Sequence, residues 1–277
     1  MKLYFFRGTK EKEAARSMRR MMENKYKSII TKNGEFVSVV NNIRQADYIV
    51  ACGGDGTFLE LEQLRAKRQD ISAKLVGIAC GTANHLMNKT NNLLHFIRTA
   101  QTMVYHPLRI TCVTQDGRLV SELGANDVTI HRWSPRNQAC HLDVRIGCGE
   151  NRVSGSIHGD GLVAASAQGA HAYYRNAGGQ FMSMWTKGYG TQPICDINAE
   201  KLSKVVSADT RVIVDVRDYE KRPVAVYVDN LPAVKNIVRC EIQMEQDVDI
   251  PVLVNKKTPF VQANRQMARQ LIMEQTR

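Results

Sequence analysis

Gly53-Gly54-Asp55-Gly56-Thr57 is the stretch of this chain whose residue types are best suited to chemistry. The apolar run Tyr48-Ile49-Val50-Ala51-Cys52 before it reads as a buried strand, and Phe58, Leu61 and Leu64 after it recur at helical spacing. A strand, a glycine turn and a helix start therefore meet. Three glycines allow positive φ and close backbone approach, and a helix start offers unpaired N–H groups with partial positive charge, so phosphate is the expected guest. In a loop that only bound phosphate an aspartate would repel it. Asp55 makes sense where a hydroxyl must be deprotonated, or a metal oriented, beside that phosphate. The same five residues also read as a glycine-rich turn with Asp55 as a local cap.

Two later stretches could complement this loop. At Asn126-Asp127 an amide and a carboxylate stand at the start of the apolar run Val128-Thr129-Ile130. An asparagine can bond the edge of a base and a carboxylate can hold the two hydroxyls of a ribose, although the same pair also favours a plain turn. Residues 159–179, from Gly159-Asp160-Gly161 to Ala177-Gly178-Gly179, are rich in glycine and alanine. Such a backbone is open to a ligand and Tyr173 offers a flat ring for stacking, while a tight strand–loop crossing would use the same residues.

The elements that must position these residues change character along the chain. Lys2–Phe6, Phe36–Val40, Tyr48–Cys52 and Lys74–Ala79 read as strands alternating with helical patterns, which implies βαβ units and a parallel sheet with ligands at the strands' carboxyl ends. Thr9 is the expected cap of the first helix, and Ala14, Met18, Met21 and Met22 its apolar stripe. From Leu108 onward short β-branched runs prevail, among them Arg109–Val113, Val128–His131, His141–Ile146, Leu162–Ala165, Arg211–Val216, Val224–Val228 and Val234–Val238. Thr258-Pro259 then starts a last helix with Phe260, Met267 and Leu271 on one face. The reading is an α/β domain over residues 1–106, a β-rich domain over 107–250 and a C-terminal segment, 251–277, that returns to the first domain. Residues 176–195 read as irregular, open to either an extended segment or a helix.

Composition narrows the function classes. With 43% hydrophobic and 23% charged residues the 277-residue chain is ordinary for a globular protein, and no apolar run approaches a membrane span of roughly 18 residues, so a cytoplasmic protein without a membrane partner is expected. The seven cysteines show no C-x-x-C pair and are expected as free thiols; neither they nor the histidines have metal-ligand spacing. The net charge of +11 raises nucleic acid as a partner, but nine Lys/Arg against three Glu fall in the first 30 residues, on a helix with an apolar face. That pattern reads as a solvated helix face and not as a nucleic-acid patch. A positive field also draws nucleotide phosphates.

Taken in order, GGDGT, a strand with a second glycine loop, Asn-acid before Val-x-Ile-His-Arg, and Asp160-Gly161-Leu162-Val163 leading to Ala172-Tyr173 and Ala177-Gly178-Gly179 resemble the NAD kinase family over Tyr48 to Gly179. That family belongs to a superfamily shared with diacylglycerol kinases. The resemblance implies an α/β domain, a β-rich domain and a returning C-terminal segment. It also implies transfer of a phosphoryl group from ATP, or polyphosphate in some relatives, to the 2′-hydroxyl of the adenosine ribose of NAD, giving NADP, with Mg²⁺ accompanying the nucleotide. Asp55 would act as general base or orient the hydroxyl, Gly53, Gly54, Gly56 and Thr57 would line the phosphates, and Asn126 and Asp127 would hold base and ribose. Ala172 and Tyr173 would pack on the dinucleotide, Asp160 would approach it, often across a subunit contact, and the assembly would be a homodimer or homotetramer.

The chain departs from the family pattern in four places. It has Asn126-Asp127 for Asn-Glu, and Gln168-Gly169-Ala170-His171-Ala172-Tyr173 for Thr-Gly-Ser-Thr-Ala-Tyr. Gln168 and His171 thus stand in place of hydroxyls that would bond the adenine, and the base is expected to be read differently. Cys80-Gly81-Thr82-Ala83-Asn84 looks more like the Gly-Thr-Gly-Asn loop of diacylglycerol kinases, and Asp229-Asn230 stands where Asp-Gly is common. A lipid kinase and a non-catalytic nucleotide-binding protein are therefore the competing readings.

Overall fold

In the computed structural model the chain is described over residues 1–80, 84–133, 138–147 and 152–275, with side chains to residue 269. It divides into two compact units: Met1–Tyr105 together with the segment from Asp249 onward, and His106–Val248. In the first unit β1 (Lys2–Phe6), α1 (Glu13–Tyr26), β2 (Ser28–Ile30), β3 (Phe36–Val39), β4 (Tyr48–Gly53), α2 (Asp55–Lys67), β5 (Lys74–Ala79), α3 (Leu93–Thr99) and β6 (Gln101–Tyr105) follow one another. Strands β3, β1, β4 and β5 lie parallel, and the central β4 and β5 are buried along almost their whole length.

Two details of this unit correct the sequence reading. Thr9 does not cap α1; its N–H and hydroxyl both donate to the Glu60 carboxylate on α2, each at 2.8 Å, while the α1 N-cap is Lys12. The buried face of α1 is Ala15, Arg19, Met22 and Tyr26, whereas Ala14 and Met21 are exposed. Arg19 can lie in that stripe because Glu11 and Glu23 bond its guanidinium from both sides, at 2.6 and 2.9 Å. A helical stripe containing an arginine is invisible to a search for apolar residues alone.

The second unit is a sandwich of antiparallel sheets. Its strands are β7 (Leu108–Thr114), β8 (Leu119–Gly124), β9 (Asp127–Arg132), β10 (Cys140–Ile146), β11 (Val153–Gly159), β12 (Gly161–Ser166), β13 (Gly188–Ile194), β14 (Lys204–Ser207), β15 (Val212–Arg217), β16 (Val224–Val228), β17 (Leu231–Lys235) and β18 (Ile237–Met244). One sheet runs β11-β10-β15-β18-β7-β8 and the other β14-β13-β12-β9-β16-β17. Strict alternation of buried and half-buried residues in β7 and β10 sends Leu108, Ile110, Leu142 and Val144 into the core shared with Val128, Ile130, Leu162 and Val226. The run expected as one strand, Val234–Val238, is broken at Asn236, whose φ of 55° turns the chain from β17 into β18.

β12 and β13 are buried on both faces because the chain between them folds back over the sheet. A short helix, α4 (Tyr173–Asn176), comes first, and the stretch 176–195 that reads as irregular in sequence then runs into β13 itself. Ala170, Tyr174 and Met182 from this region cover Val163, Ala165 and Ile194 on the face turned away from the sandwich core. Tyr174 is fully buried, with Gly179 and Gly190 against its ring; a Cβ on Gly190 would stand 2.4 Å from the Tyr174 hydroxyl. Glycine here makes room for a tyrosine.

After Val248 the chain re-enters the first unit as β19 (Ile250–Val254) and α5 (Pro259–Gln275). β19 inserts between β5, parallel, and β6, antiparallel, completing the sheet order β2-β3-β1-β4-β5-β19-β6. The returning segment is held by the buried Asn88, whose amide donates to the carbonyls of Gly77 at 3.0 Å and Leu253 at 3.4 Å while its oxygen accepts from the Thr258 hydroxyl at 2.6 Å. No helix among the described residues is long and apolar enough to cross a membrane. The cysteines at 52, 80, 112, 140, 195 and 240 are free thiols, and Cys148 lies outside the described residues. Asn88→Ala removes the side-chain bonds to the Leu253 carbonyl and the Thr258 hydroxyl, while the Gly77 carbonyl keeps the residue-88 N–H, so urea unfolding should show a loss of about 1–3 kcal/mol. A loss below about 0.5 kcal/mol would show that Asn88 does not anchor the return.

Candidate active site

β4 delivers the GGDGT residues to the start of α2, as the sequence leads one to expect, but the glycines serve differently. None of Gly53, Gly54 and Gly56 has positive φ; Gly54, the N-cap, is extended at φ −113°. Gly53 is required by proximity, since a Cβ there would lie 2.6 Å from the Thr57 hydroxyl. Gly56 is exposed with open space above it, so a ligand can approach the first turn of a 13-residue helix and its unpaired N–H groups.

Asp55 is the first residue of α2, and its carboxylate is already engaged. One oxygen accepts the His85 N–H at 2.9 Å and the other the Leu86 N–H at 2.8 Å. Asp55 thus ties the first glycine loop to the chain just beyond the second, whose Gly81, Thr82 and Ala83 lie outside the described residues. Each carboxylate oxygen keeps a lone pair for a substrate hydroxyl or a cation. The His85 ring packs edge-on to Phe260 at 6.3 Å, and burial lowers its pKa. Cys80 N–H donates to the Gly53 carbonyl at 2.8 Å, which fixes the two loop roots side by side.

In the second unit Asn126 and Asp127 sit where β8 turns into β9, and an aspartate that sequence reasoning did not select organises them. Asp229 accepts the N–H groups of Ala125, Asn126 and Asp127 at 2.8, 2.7 and 3.1 Å. It can do so because Asp229 and Asn230 both have positive φ, 47° and 69°, in a two-residue hairpin between β16 and β17. The signal was the Asp229-Asn230 pair itself, a combination suited to that turn. Asp127 lies beside Asp229; its own burial, then the neighbouring charge, push its carboxyl up to about 7.

Pairing of β9 with β12 brings in the third stretch, since Asp127 stands opposite Ala165. The Ser166 hydroxyl donates to the Ala125 carbonyl at 2.7 Å and Ser166 N–H to the Asn126 carbonyl at 2.8 Å. Gln168, expected at the base, is turned inward: it is 2% exposed and its amide donates to the Asn126 side-chain oxygen at 2.9 Å. Tyr173 is exposed, and its hydroxyl's pKa is raised by burial and by the fields of Cys195, Asp160 and Asp127, which places those groups around it. Ala172 is half-buried at the start of α4, and the half-buried His171 ring lies edge-on to Phe181 at 6.4 Å. Asp160, expected to approach a ligand, is ion-paired to Arg132 at 2.7 Å.

Comparison with known proteins bears on the two units together. Residues 6–110 match the diacylglycerol kinase catalytic domain. The NAD kinase of Xylella fastidiosa strain Temecula1 is 27% identical over 215 residues, 76% of this chain and 80% of the relative. That of Rickettsia prowazekii is 26% identical over 246 residues, 84% and 93% of the two chains. Yeast NADH kinase complexed with NADH superimposes with a TM-score of 0.73 at 17% identity, covering 95% of this chain and 85% of that one. In sequence and in fold this chain is similar to NAD kinases. An Archaeoglobus fulgidus NAD kinase in complex with ATP has the same fold, with a TM-score of 0.62 at 19% identity, covering 93% and 94% of the two chains.

GGDGT here opens a helix and the Asn-acid pair opens a strand. Among the described residues no group of three His, Cys, Asp or Glu could hold a metal ion.

The raised Asp127 carboxyl has a sign that can be tested. An unfolded chain ionises aspartate near 3.9, so this group makes folding less favourable as pH rises from about 4 to about 7. Asp127→Asn removes that slope, and urea unfolding should show the variant gaining stability relative to wild type between pH 5 and pH 8. A difference that does not change with pH would contradict the placement of Asp127 beside Asp229.

Proposed function

We propose that this protein is an NAD kinase, transferring the terminal phosphoryl group of ATP to the 2′-hydroxyl of the adenosine ribose of NAD to give NADP. The observation that carries this reading is the Asn126–Asp127 turn, where three N–H bonds to Asp229 and one bond from Gln168 fix an amide and a carboxyl side by side. A base edge and a ribose diol call for that pair. In the first unit the phosphates of the donor would lie at the start of α2, over Gly54, Gly56 and Thr57, where N–H groups and the helix dipole favour them.

Asp55 would receive the acceptor hydroxyl, orient it and take its proton as the phosphoryl group is transferred. The donor's phosphates and Asp55 would hold Mg²⁺, which when bound neutralises charge developing on the transferred group. Tyr173 offers its exposed ring to the dinucleotide, and the six free thiols suit a reducing, cytoplasmic setting. The ion pair with Arg132 suggests that Asp160 acts by shaping the β11–β12 turn near Tyr173. The match of residues 6–110 to the diacylglycerol kinase domain favours a second reading, a lipid kinase, but the dinucleotide-suited turn in the β unit speaks against it.

Incubation of purified protein with ATP, Mg²⁺ and either NAD or NADH should yield NADP or NADPH. Phosphorylated lipid with no dinucleotide product would establish the second reading, and tight NAD binding without turnover a non-catalytic module. Asp55→Asn should lower turnover about 10²–10⁴-fold. It should also cost about 1–3 kcal/mol of stability, because asparagine has one oxygen for the two N–H groups of His85 and Leu86. NAD affinity should stay within a few-fold, since the nucleoside contacts proposed here, Asn126 and Asp127, are not touched by the substitution. Turnover within tenfold of wild type would reduce Asp55 to a loop clamp.

A further inference from the structure

Gln168 replaces a residue that would bond the base directly, and the structure gives it different work. It is nearly sealed from solvent, so its amide cannot reach a ligand. Its surroundings are built around Asn126: Ser166 bonds the Asn126 carbonyl, the Gly169 N–H meets the Ser166 hydroxyl at 3.3 Å, and a Cβ on Gly169 would stand 2.2 Å from the Asn126 backbone oxygen. No residue but glycine lets residues 166–169 press this closely on Asn126. The Gln168 Nε2 then donates to Asn126 Oδ1 at 2.9 Å. A carboxamide is planar, so anchoring its oxygen on one side places its N–H₂ on the other.

We propose that Gln168 is a specificity-determining positioning residue: it fixes the Asn126 carboxamide so that the nucleotide base meets an N–H₂ edge and not a carbonyl. The inference rests on the reading of Asn126 as the base contact. A donor edge satisfies an acceptor atom of a purine, a ring nitrogen or a ring carbonyl, but cannot accept a hydrogen from the exocyclic amine of adenine. The site should then tolerate a base in which that amine is replaced by a carbonyl. Sites that bond a substrate's polar group reject analogues lacking it strongly, whereas sites that leave the group unread do not.

The test compares kcat/KM for NAD and for nicotinamide hypoxanthine dinucleotide, with binding constants measured for both. Wild type should prefer NAD by less than about fivefold. Gln168→Met keeps the volume and removes the donor, so Asn126 can turn its carbonyl outward to the adenine amine. The preference for NAD should then rise by about tenfold, the worth of one hydrogen bond, in a variant whose melting temperature shows it folded. A purely structural role for Gln168 would lower both substrates together and leave the ratio unchanged, which would overturn the proposal. A wild-type preference for NAD above about 50-fold, with NAD turned over normally, would overturn it without any variant. If wild type binds neither dinucleotide, the reading of the Asn126 turn falls and this inference falls with it.

Discussion

The interaction on which the first unit's chemistry depends is the pair of hydrogen bonds from the His85 and Leu86 N–H groups to the two oxygens of Asp55. A carboxylate beside the proposed phosphate site would be electrostatically unfavourable, and these bonds, with the open N–H groups of α2, would offset the repulsion by surrounding the charge with donors. They also make the aspartate part of both glycine loops. Neither loop can shift without changing the direction of the carboxylate. The clamp extends outward through the His85 ring to Phe260 on α5 and, in the opposite direction, through Glu60 to Thr9.

The second unit repeats the device with the roles exchanged. There Asp229 accepts backbone N–H groups, while Asp127, held beside it, has its carboxyl pushed up to about 7. One buried carboxylate is satisfied by three N–H bonds; its neighbour's carboxyl is raised by its own burial and then by the adjacent charge. Asn126 completes the turn, and Gln168 from β12's far end decides which edge it shows.

Much of this was legible in the sequence. Strand–helix alternation before Tyr105 and β-branched runs after Leu108 lead to the right fold class, and GGDGT falls at a strand-to-helix junction as its residue types require. What escaped was contact made at a distance. β19 was missed because Ile250-Pro251-Val252-Leu253-Val254 carries a proline, and its place between β5 and β6 depends on partners some 150 residues away. Asp229 looked like a variant turn residue, because nothing local shows that its carboxylate reaches Ala125. Gln168 looked like a base reader for the same reason, since sequence gives its chemistry but not the direction in which it points. The glycines of GGDGT were expected to supply positive φ, whereas proximity to Thr57 and open space at Gly56 explain them.

Hydrogen exchange at the His85 and Leu86 amides tests the central clamp most directly. Both belong to a stretch without regular secondary structure, where unbonded amides would exchange nearly as fast as in an unfolded peptide. The account predicts that these two are protected at least about 100-fold in the ligand-free protein. Exchange of both at the rate of an unstructured peptide would mean that no carboxylate holds them, and the coupling of the two loops through Asp55 would have to be abandoned.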